Sequence, residues 1–521
     1  MIKQKTNNIF KFILYAIAFI LVFYSLPNVI YDTDYMWHIK LGEYIYENKT
    51  IPTTNIFGYF DTLKFFSHEW LFDLVMYLFY NIADDNGVLV FVFLNVIFMI
   101  YMLDKILNLR VKNHIFNGFV LFITLGYMTP FIVARPQIFS YNLILYLIYL
   151  LINNFENLSK KFINLIIIVV LIVNAHAGSY PIVFAIIGIY ILGQFIDKVL
   201  SYDKNKKFSF DLEFNIINWN KYVYDKYLKN AIQYVKKPII LTLLLIPFLL
   251  INPYTFDIYL YPFQVMANNN AMEFISEWQP TNFVDENRYL LIYIVFALSS
   301  FAYEKKYKCF TDWLFVVIFI ILGATHIRHL SLLFLILAIF SSSYIYSILK
   351  LIYDKFINLI PTFIYESLEN KLNFLINFIS YITMLTVLLS LVLTVSNLNV
   401  AKYYPYEILN YIKENDIDLE RNIMLNDYNI GGYLIRNDIK VFIDGRADVY
   451  SKSVNKKEEI LGLYREITQG LNWKYNFDKY NIRYVLMDKS RPLVKIITNN
   501  SSFEVLKEDK NFIFAEYKFK E

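Results

Sequence analysis

Apolar runs recur along the first four hundred residues of this chain, and several are long enough for a helix that crosses a membrane. One ends near residue 29, and the others lie at about 87–107, 115–134, 137–153, 162–176, 180–200, 238–252, 289–303, 311–325, 329–349 and 378–397. A spanning helix needs about 20 apolar residues to cross ~30 Å of hydrocarbon. The sequence therefore predicts an α-helical polytopic membrane protein with about 11 spans.

Composition excludes the main alternatives to a membrane protein. Charged residues make up 18% of the chain and hydrophobic residues 57%, whereas about 25% of a soluble domain is charged. A soluble enzyme and a disordered chain are therefore excluded. Cys309 is the single cysteine, so no intrachain disulfide can form. A net charge of +4 over 521 residues is too weak to indicate a nucleic-acid partner.

Lysine and arginine collect in alternate loops between the apolar runs. The basic loops are residues 105–112, 160–161, 201–237, 305–308 and 350–371. Cytoplasmic loops carry an excess of basic residues, so all five are assigned to the cytoplasm, which places the N-terminus inside and the chain after residue 397 outside. The assignment holds only if the apolar stretch at 70–82 does not cross the membrane. This stretch is about 13 residues long, so we expect a juxtamembrane or re-entrant helix.

Two domains are expected. Residues 1–399 form the membrane domain, with a first outer loop at 28–86 and a cytoplasmic insert at 201–237. A cleaved signal peptide is the alternative for the first run, but no small-residue cleavage site follows it, so we expect a retained span. Residues 400–521 have mixed charge and alternating short elements, which predict an exterior α/β domain with a partly parallel sheet. Its predicted strands are 422–426, 439–443, 482–487, 502–507 and 512–517, and its predicted helices are 405–414, 431–437, 455–468 and 473–480.

Polar groups that could form a site collect on the predicted outer side. Five of the six histidines fall there: His38, His68, His176, His326 and His329. Polar groups at membrane depth usually mark a functional site, although interfacial snorkelling is the alternative for each of them. Only ten of the 49 basic residues are arginines, so lysine is the usual basic residue of this chain. An arginine on the predicted outer side is therefore a stronger indication of a functional role than a lysine.

Residues 34–48 have the spacing of a helix in the membrane interface. Asp34 and His38 lie four residues apart and would share a face of this helix. The alternative role for Asp34 is purely structural, because an acidic residue in the first turn is a favourable partner for the helix dipole.

Short motifs resemble those of a known enzyme superfamily. Residues 34–40, DYMWHIK, are similar to the start of the catalytic loop of GT-C glycosyltransferases, especially the D-x-x-x-H-x-R run of the oligosaccharyltransferase catalytic subunit, with Lys40 in the arginine position. Residues 423–428 (IMLNDY), 431–435 (GGYLI) and 441–446 (VFIDGR) resemble the W-W-D-Y-G segment that opens the exterior domain of that subunit. A similar combination, which adds HEW at 68–70, Arg135-Pro136 and Asn174-x-His176, is typical of bacterial and archaeal multi-spanning proteins placed with the GT-C enzymes.

This chain also departs from the oligosaccharyltransferase pattern. Both tryptophans of W-W-D-Y-G are missing, so an asparagine-containing acceptor peptide is not implied. The oligosaccharyltransferases place a second metal-binding D-x-D in the outer turn after the third span, but residues 129–137 contain no acidic residue. A divalent metal is therefore an open expectation, and metal-independent relatives that use polyprenyl-phosphate monosaccharides are the closer comparison.

The resemblance implies an inverting glycosyltransferase that transfers a sugar from a polyprenyl-phosphate donor, in contact with membrane lipid, to a glycan, lipid or protein acceptor outside. Such transfer needs a carboxylate to take the acceptor proton and cations to stabilise the departing phosphate. The hypothesis makes Asp34 the general base, with Asp32 or Glu69 as supporting or alternative carboxylates. Donor-phosphate binding is assigned to Arg135, Arg328, His176, His329, His326 and Lys40. Acceptor-side contacts are assigned to His38, His68, Glu277, Asp427, Tyr428, Asp444 and Arg446.

Several alternatives stay open. Glu277 could be a rim glutamate beside an interfacial tryptophan, and Asp427, Asp444 and Arg446 could form an ion-pair network that docks the exterior domain. A transporter or flippase of lipid-linked or anionic solutes is a second functional class, although we find no internal repeat. A non-catalytic membrane scaffold is a third. The enzyme hypothesis requires Asp34, Arg135 and Arg328 to meet in one outer cavity.

Overall fold

The structure is a computed structural model that describes residues 34–201, 228–285, 287–303, 309–357 and 404–519, together with Val29 and Asp32. The predicted spans at the N-terminus and at 378–397 lie outside the described residues. So do the basic loop at 305–308 and most of the predicted insert at 201–237. The remaining helices of the membrane domain, and nearly all of the C-terminal domain, are described.

The membrane domain is built from apolar α-helices. In chain order they are α1 (Asp34–Asn48), α2 (Trp70–Arg110), α3 (His114–Met128), α4 (Pro136–Asn154), α5 (Phe162–Ala175), α6 (Tyr180–Ser201), α7 (Lys229–Leu245), α8 (Asp257–Met266), α9 (Asn269–Phe274), α10 (Arg288–Tyr303), α11 (Phe310–Thr325) and α12 (Leu330–Ile357). The largest buried apolar cluster lies between them, and α12 passes through it in contact with α2, α3, α10 and α11.

The described residues contain six helical stretches that are long and apolar enough to cross a membrane. They are Trp70–Arg110, His114–Phe131, Pro136–Ala175, Ala177–Leu200, Lys229–Leu250 and Ile327–Lys355. The helices α10 and α11 are apolar but shorter. The chain is thus a helical membrane protein, but the predicted count of about 11 spans is not confirmed. Helix length and composition alone do not fix that count, because Pro136–Ala175 contains two α-helices joined by a 3-10 segment at Phe155–Lys161.

A break in α2 separates residues 70–82 from the longer apolar segment that follows. Ala83 and Asp84 have non-helical backbone angles, and Asp84 lies in the left-handed region with φ of 50°. The sequence predicts a separate short helix at this place. Next to it, α1 packs closely on α2, and Gly42 permits the approach, since a Cβ there would lie 2.2 Å from the Asp73 carbonyl oxygen.

The C-terminal domain combines helices with a four-stranded sheet. Its elements are α13 (Tyr406–Glu414), β1 (Ile423–Asn426), α14 (Gly431–Arg436), α15 (Lys452–Asn455), α16 (Ile460–Thr468), α17 (Trp473–Tyr480), β2 (Ile482–Asp488), α18 (Pro492–Asn499), β3 (Phe503–Glu508) and β4 (Phe512–Tyr517). The strand order is β1-β2-β4-β3. The pair β1–β2 is parallel and the other two pairs are antiparallel, so the sheet is partly parallel as predicted.

Two local predictions for this domain are wrong. Residues 439–443 are not a strand of the sheet. Their apolar side chains are buried, but Val441 pairs with the first outer loop, where its N–H donates to the Phe57 carbonyl at 3.1 Å and its carbonyl accepts from Tyr59 at 3.0 Å. Within the predicted helix at 455–468, only residues 460–468 form a helix, α16, because the short helix α15 already ends at residue 455. A buried apolar run thus fits a strand pattern even when its backbone partners lie in another loop.

The first outer loop and the C-terminal domain share one buried core. Trp37, Leu41 and Phe65 from the loop belong to the same apolar cluster as the sheet residues. Arg446 is buried within this contact, where it pairs with Asp444 and donates to Asn55 Oδ1 at 2.9 Å. This contact places the C-terminal loops directly over α1. The boundary between residues 399 and 400 stays a prediction.

Candidate active site

A cavity of about 560 Å³ lies where turns at one end of the membrane helices meet the C-terminal domain. Its walls come from α1, the loop before α2, the turns that precede α4, α6 and α12, the 3-10 turn Ser276–Trp278 and two loops of the C-terminal domain. The predicted site residues that line it are Asp34, His38, His68, Glu69, Arg135, His176, Glu277, His326, Arg328, His329, Tyr428 and Arg446. The structure therefore brings together residues that are separated by up to four hundred positions in the chain.

One side of the cavity, which we call the acidic end, consists of Arg135 surrounded by Asp32, Asp34 and Glu277. The Arg135 guanidinium donates to both carboxylate oxygens of Asp32, from Nε at 2.6 Å and from Nη2 at 2.8 Å. Nη1 donates to Glu277 Oε1 at 3.0 Å, and Nη2 lies 3.1 Å from Asp34 Oδ2. Arg135 directly precedes Pro136 at the start of α4, where an extended backbone and a proline in the first turn are favourable. Its guanidinium is thus fully occupied by carboxylates.

Like Glu277, Asp34 lines the cavity. It occupies the first turn of α1, and its carboxyl packs against the backbone of Gly445. Only glycine permits this contact, because a Cβ at residue 445 would lie 2.0 Å from Asp34 Oδ1. Burial is the main reason that the pKa of Asp34 is raised to about 6; Arg135 opposes the rise, and Asp32 and Glu277 add to it. A carboxyl with a pKa near neutrality is suited to accept a proton.

A second part of the cavity lining, which we call the imidazole end, consists of Glu69, Arg328 and the histidines His38, His68 and His176. Glu69 Oε1 lies 3.2 Å from His68 Nε2 and 3.8 Å from His176 Nε2, and Glu69 Oε2 lies 3.9 Å from His38 Nε2. Burial opposes a charge on His68, but Glu69 outweighs it and raises the pKa of His68 to about 9. Burial likewise opposes ionisation of Glu69, yet the neighbouring His68 lowers the pKa of Glu69 well below its usual range. The pair is therefore an imidazolium and a carboxylate at neutral pH.

Arg328 and His176 form the second contact of the imidazole end. Burial is the main cause that lowers the pKa of His176 to about 3, so its imidazole is neutral. Its Nδ1 contacts Ser140 Oγ at 2.7 Å and Ser179 Oγ at 2.8 Å, which leaves Nε2 to accept from Arg328 Nη2 at 3.4 Å. In the part of the chain that the structure describes, Arg328 forms no ion pair with a carboxylate. Its guanidinium faces the cavity, and no carboxylate of the described residues pairs with its positive charge.

Sequence comparisons give no relative: no family model matches the chain, and no curated protein matches it. Solved structures do match it. The oligosaccharyltransferase of Archaeoglobus fulgidus in the apo form has a TM-score of 0.54 at 13% identity, over 91% of this chain and 69% of that one. ArnT from Cupriavidus metallidurans bound to undecaprenyl phosphate has a TM-score of 0.51 at 9% identity, over 96% of this chain and 97% of that one. This chain has a GT-C fold.

A further GT-C structure matches, the archaeal oligosaccharyltransferase AglB from Archaeoglobus fulgidus in complex with an inhibitory peptide and a dolichol-phosphate. Its TM-score is 0.50 at 12% identity, over 87% of this chain and 65% of that one. This chain thus spans about two thirds of the length of the oligosaccharyltransferases and nearly all of ArnT. The resemblance to GT-C glycosyltransferases that the short motifs indicate is confirmed at the level of the fold.

Four predicted site residues do not line the cavity of the GT-C fold. Asp32 lies behind Asp34, where Arg135 covers both of its oxygens. Lys40 pairs with Glu43 at 2.6 Å and Asp438 at 2.8 Å, so it is not placed to bind a donor phosphate in this cavity.

The other two, Asp427 and Asp444, are buried in ion pairs of the C-terminal domain. Asp427 accepts from Arg491 Nε at 2.7 Å, and Asp444 accepts from Arg446 Nη2 at 2.6 Å. Asp444 also accepts from the Tyr450 hydroxyl at 2.5 Å. This arrangement matches the docking alternative for Asp444 and Arg446 rather than direct acceptor contact.

Residues that the sequence analysis did not single out support the imidazole end. Asp73 is fully buried and its Oδ1 lies 2.5 Å from His38 Nδ1. The Tyr261 hydroxyl lies 2.8 Å from His68 Nδ1 and donates to Asp448 Oδ2 at 3.0 Å. Asp73 follows Glu69 by four residues, a spacing that puts both on one face of α2 and could have drawn attention to it. No comparable signal marks Tyr261.

The acidic end does not fit the divalent metal that the oligosaccharyltransferase resemblance leaves open. Its carboxylate oxygens lie 2.6–3.1 Å from nitrogen atoms of one guanidinium, which fills the space between them. With the guanidinium in place, neither the acidic end nor any other part of the described ranges groups three His, Cys, Asp or Glu side chains as a metal site requires.

Proposed function

We propose that this chain is an integral-membrane glycosyltransferase that transfers a sugar from a polyprenyl-phosphate-linked donor to an acceptor at the outer face of the membrane. One observation carries the proposal: a carboxyl whose pKa is raised to about 6, Asp34, lines the same cavity as an arginine that forms no ion pair within the described residues, Arg328. The GT-C structures support it, because ArnT is bound to undecaprenyl phosphate and AglB to a dolichol-phosphate.

Asp34 takes the proton in this reaction. The acceptor heteroatom attacks the anomeric carbon of the donor sugar while its proton passes to the Asp34 carboxylate. The bond from the anomeric carbon to the phosphate oxygen breaks, and its electron pair leaves with the phosphate. A single displacement of this kind inverts the anomeric configuration.

Arg328 binds the departing phosphate. A planar guanidinium matches two phosphate oxygens at once, and the neutral His176 orients it through the Nε2 contact. His326 and His329 line the cavity beside Arg328, and their rings lie 5.4 Å apart. The positive charge thus stands where negative charge develops during transfer. His176 orients and does not protonate the leaving group, since its lowered pKa keeps it neutral.

Glu69 is a poor candidate for the proton acceptor. The His68 imidazolium contacts Glu69 and holds the pKa of this carboxyl well below its usual range. A carboxylate with such a low pKa is a weak base and therefore a poor general base. We therefore assign Glu69 the role of holding His68 and His38 in place. The acceptor enters near Glu277 of the acidic end and Tyr428 of the C-terminal domain, both of which line the cavity.

The test is transfer by the purified chain from a panel of polyprenyl-phosphate sugars, with release of sugar-free polyprenyl phosphate as the readout. Bond cleavage separates a transferase from a flippase, which moves the donor intact. Asp34→Asn should lower the rate at least about 100-fold, the usual contribution of a general base. Asp61→Asn, at an exposed position of the same outer loop, should leave the rate unchanged. Near wild-type activity of Asp34→Asn in a folded protein would remove Asp34 from the mechanism.

A further inference from the structure

The acidic end contains three carboxylates that converge on one point from distant parts of the chain. Asp32 and Asp34 precede or begin α1, and Glu277 lies in the 3-10 turn Ser276–Trp278. The side chains of Asp32, Asp34 and Glu277 are 8%, 20% and 40% exposed, so water screens the charge of Asp32 least and that of Glu277 most. Three carboxylates in such a place repel one another and need a cation between them.

Arg135 supplies that cation from within the chain. Its three nitrogen atoms each face a carboxylate oxygen, and the contact with Asp32 is bidentate. A divalent ion such as Mn²⁺ or Mg²⁺ also prefers carboxylate oxygens but needs them at about 2.0–2.2 Å. The ion and the guanidinium therefore compete for one position, and two cations cannot occupy it together.

The geometry points to Arg135 as the resident cation of the acidic end, so that the wild-type chain holds no divalent metal there and loss of the guanidinium creates a divalent-metal site from Asp32, Asp34 and Glu277. Arg135 then positions Asp34 for proton transfer and neutralises Asp32, and the donor phosphate is left to Arg328. This role deepens the proposed function and rests on it only where transfer is measured, since metal binding is measured without a substrate.

The experiment titrates the purified full-length chain with Mn²⁺ after treatment with a chelator and follows free Mn²⁺ by electron paramagnetic resonance. Wild type should bind no Mn²⁺ in the cavity. Arg135→Ala should bind one Mn²⁺ with a Kd at least about 100-fold below the highest Mn²⁺ concentration at which wild type shows no binding, because removal of the partner leaves uncompensated carboxylates. The site should disappear again when Asp32→Asn and Glu277→Gln are added to Arg135→Ala.

Arg421→Ala is the matched control. Arg421 pairs with Asp418 on the surface and is 89% exposed, so its loss frees a single solvated carboxylate and should create no Mn²⁺ site. Arg135→Gln keeps side-chain bulk and removes the charge, so it carries the same expectation if Arg135→Ala does not fold. Mn²⁺ binding by wild type that Asp32→Asn abolishes, or no gain of binding in folded Arg135→Ala and Arg135→Gln, would overturn the inference. Failure of sugar transfer with all substrates would instead count against the proposed function alone.

Discussion

Two arginines stand at similar places in the fold and have opposite surroundings. Arg135 precedes α4 and Arg328 precedes α12, each in a turn that faces the cavity. Arg135 contacts three carboxylates, whereas Arg328 contacts the neutral imidazole of His176. Residue type and position are alike, so the partners decide what each guanidinium can do.

In the proposed mechanism, this difference divides the reaction between the acidic end and the imidazole end. At the acidic end, the Arg135 guanidinium pairs with carboxylates and is not available to bind a phosphate. Asp34 is the proton acceptor of this mechanism, and burial raises its pKa to about 6. At the imidazole end Arg328 keeps its charge for an anion. In this mechanism Arg135, which pairs with three carboxylates, is a positioning residue. Arg328, which has no carboxylate partner among the described residues, is the phosphate-binding residue.

The strongest way to break this comparison is to remove Arg328. Arg328→Ala should weaken binding of a polyprenyl phosphate about 100-fold, the upper end for a hydrogen-bonded charged group. Binding to the detergent-purified chain can be measured by calorimetry, and unchanged thermal unfolding would show that the variant is folded.

A charge-conserving pair of variants sharpens the result. Arg328→Lys loses the planar fork and should bind the polyprenyl phosphate about tenfold more weakly. Arg135→Lys should leave this affinity nearly unchanged and lower kcat instead, because Asp32 loses its bidentate partner and Asp34 loses its contact with Nη2. Equal losses of phosphate affinity in both lysine variants would contradict the division of roles.

Gly445→Ala tests the acidic end alone. The added Cβ would meet Asp34 Oδ1, so the carboxyl must move away from its position over the Gly445 backbone. Misplacement of a reacting group by about 1 Å can cost 100-fold, so we expect kcat to fall about 10- to 100-fold while phosphate affinity stays unchanged. Gly188→Ala in α6, where a Cβ meets nothing within 4 Å, is the control. Loss of phosphate affinity in Gly445→Ala would show that the two sides are not independent.

The sequence predicts which residues share the cavity better than how they pair there. Alternation of basic loops assigns the turns that carry Arg135, His176 and Arg328 to one side of the membrane, and the structure brings those turns to one cavity. The period of the C-terminal elements likewise gives the four strands β1 to β4 near their observed positions. Each of these features follows from local pattern or from loop charge.

Pairing depends on side-chain directions across distant segments, which local pattern does not contain. Asp32 and Arg135 are 103 residues apart, and nothing in either neighbourhood marks them as partners. Asp73 follows Glu69 by four residues in the sequence, but nothing there indicates that His38 is its partner. For the same reason, the prediction that Arg135 and Lys40 bind the donor phosphate did not include their ion pairs with carboxylates.

The pH dependence of transfer gives the smallest effect and tests the acidic end most directly. Asp34 must be ionised to take a proton, and burial raises its pKa to about 6. Activity should therefore reach a plateau above that pH and fall about tenfold for each pH unit below it. The charged groups that act on Asp34 are Arg135 and His38, which lower its pKa, and Asp32 and Glu277, which raise it. Glu277→Gln removes one negative charge, so the acidic limb of kcat against pH should move to lower pH. A limb that stays in place in Glu277→Gln would assign the titration to a group other than Asp34, because the charge of Glu277 raises the pKa of Asp34.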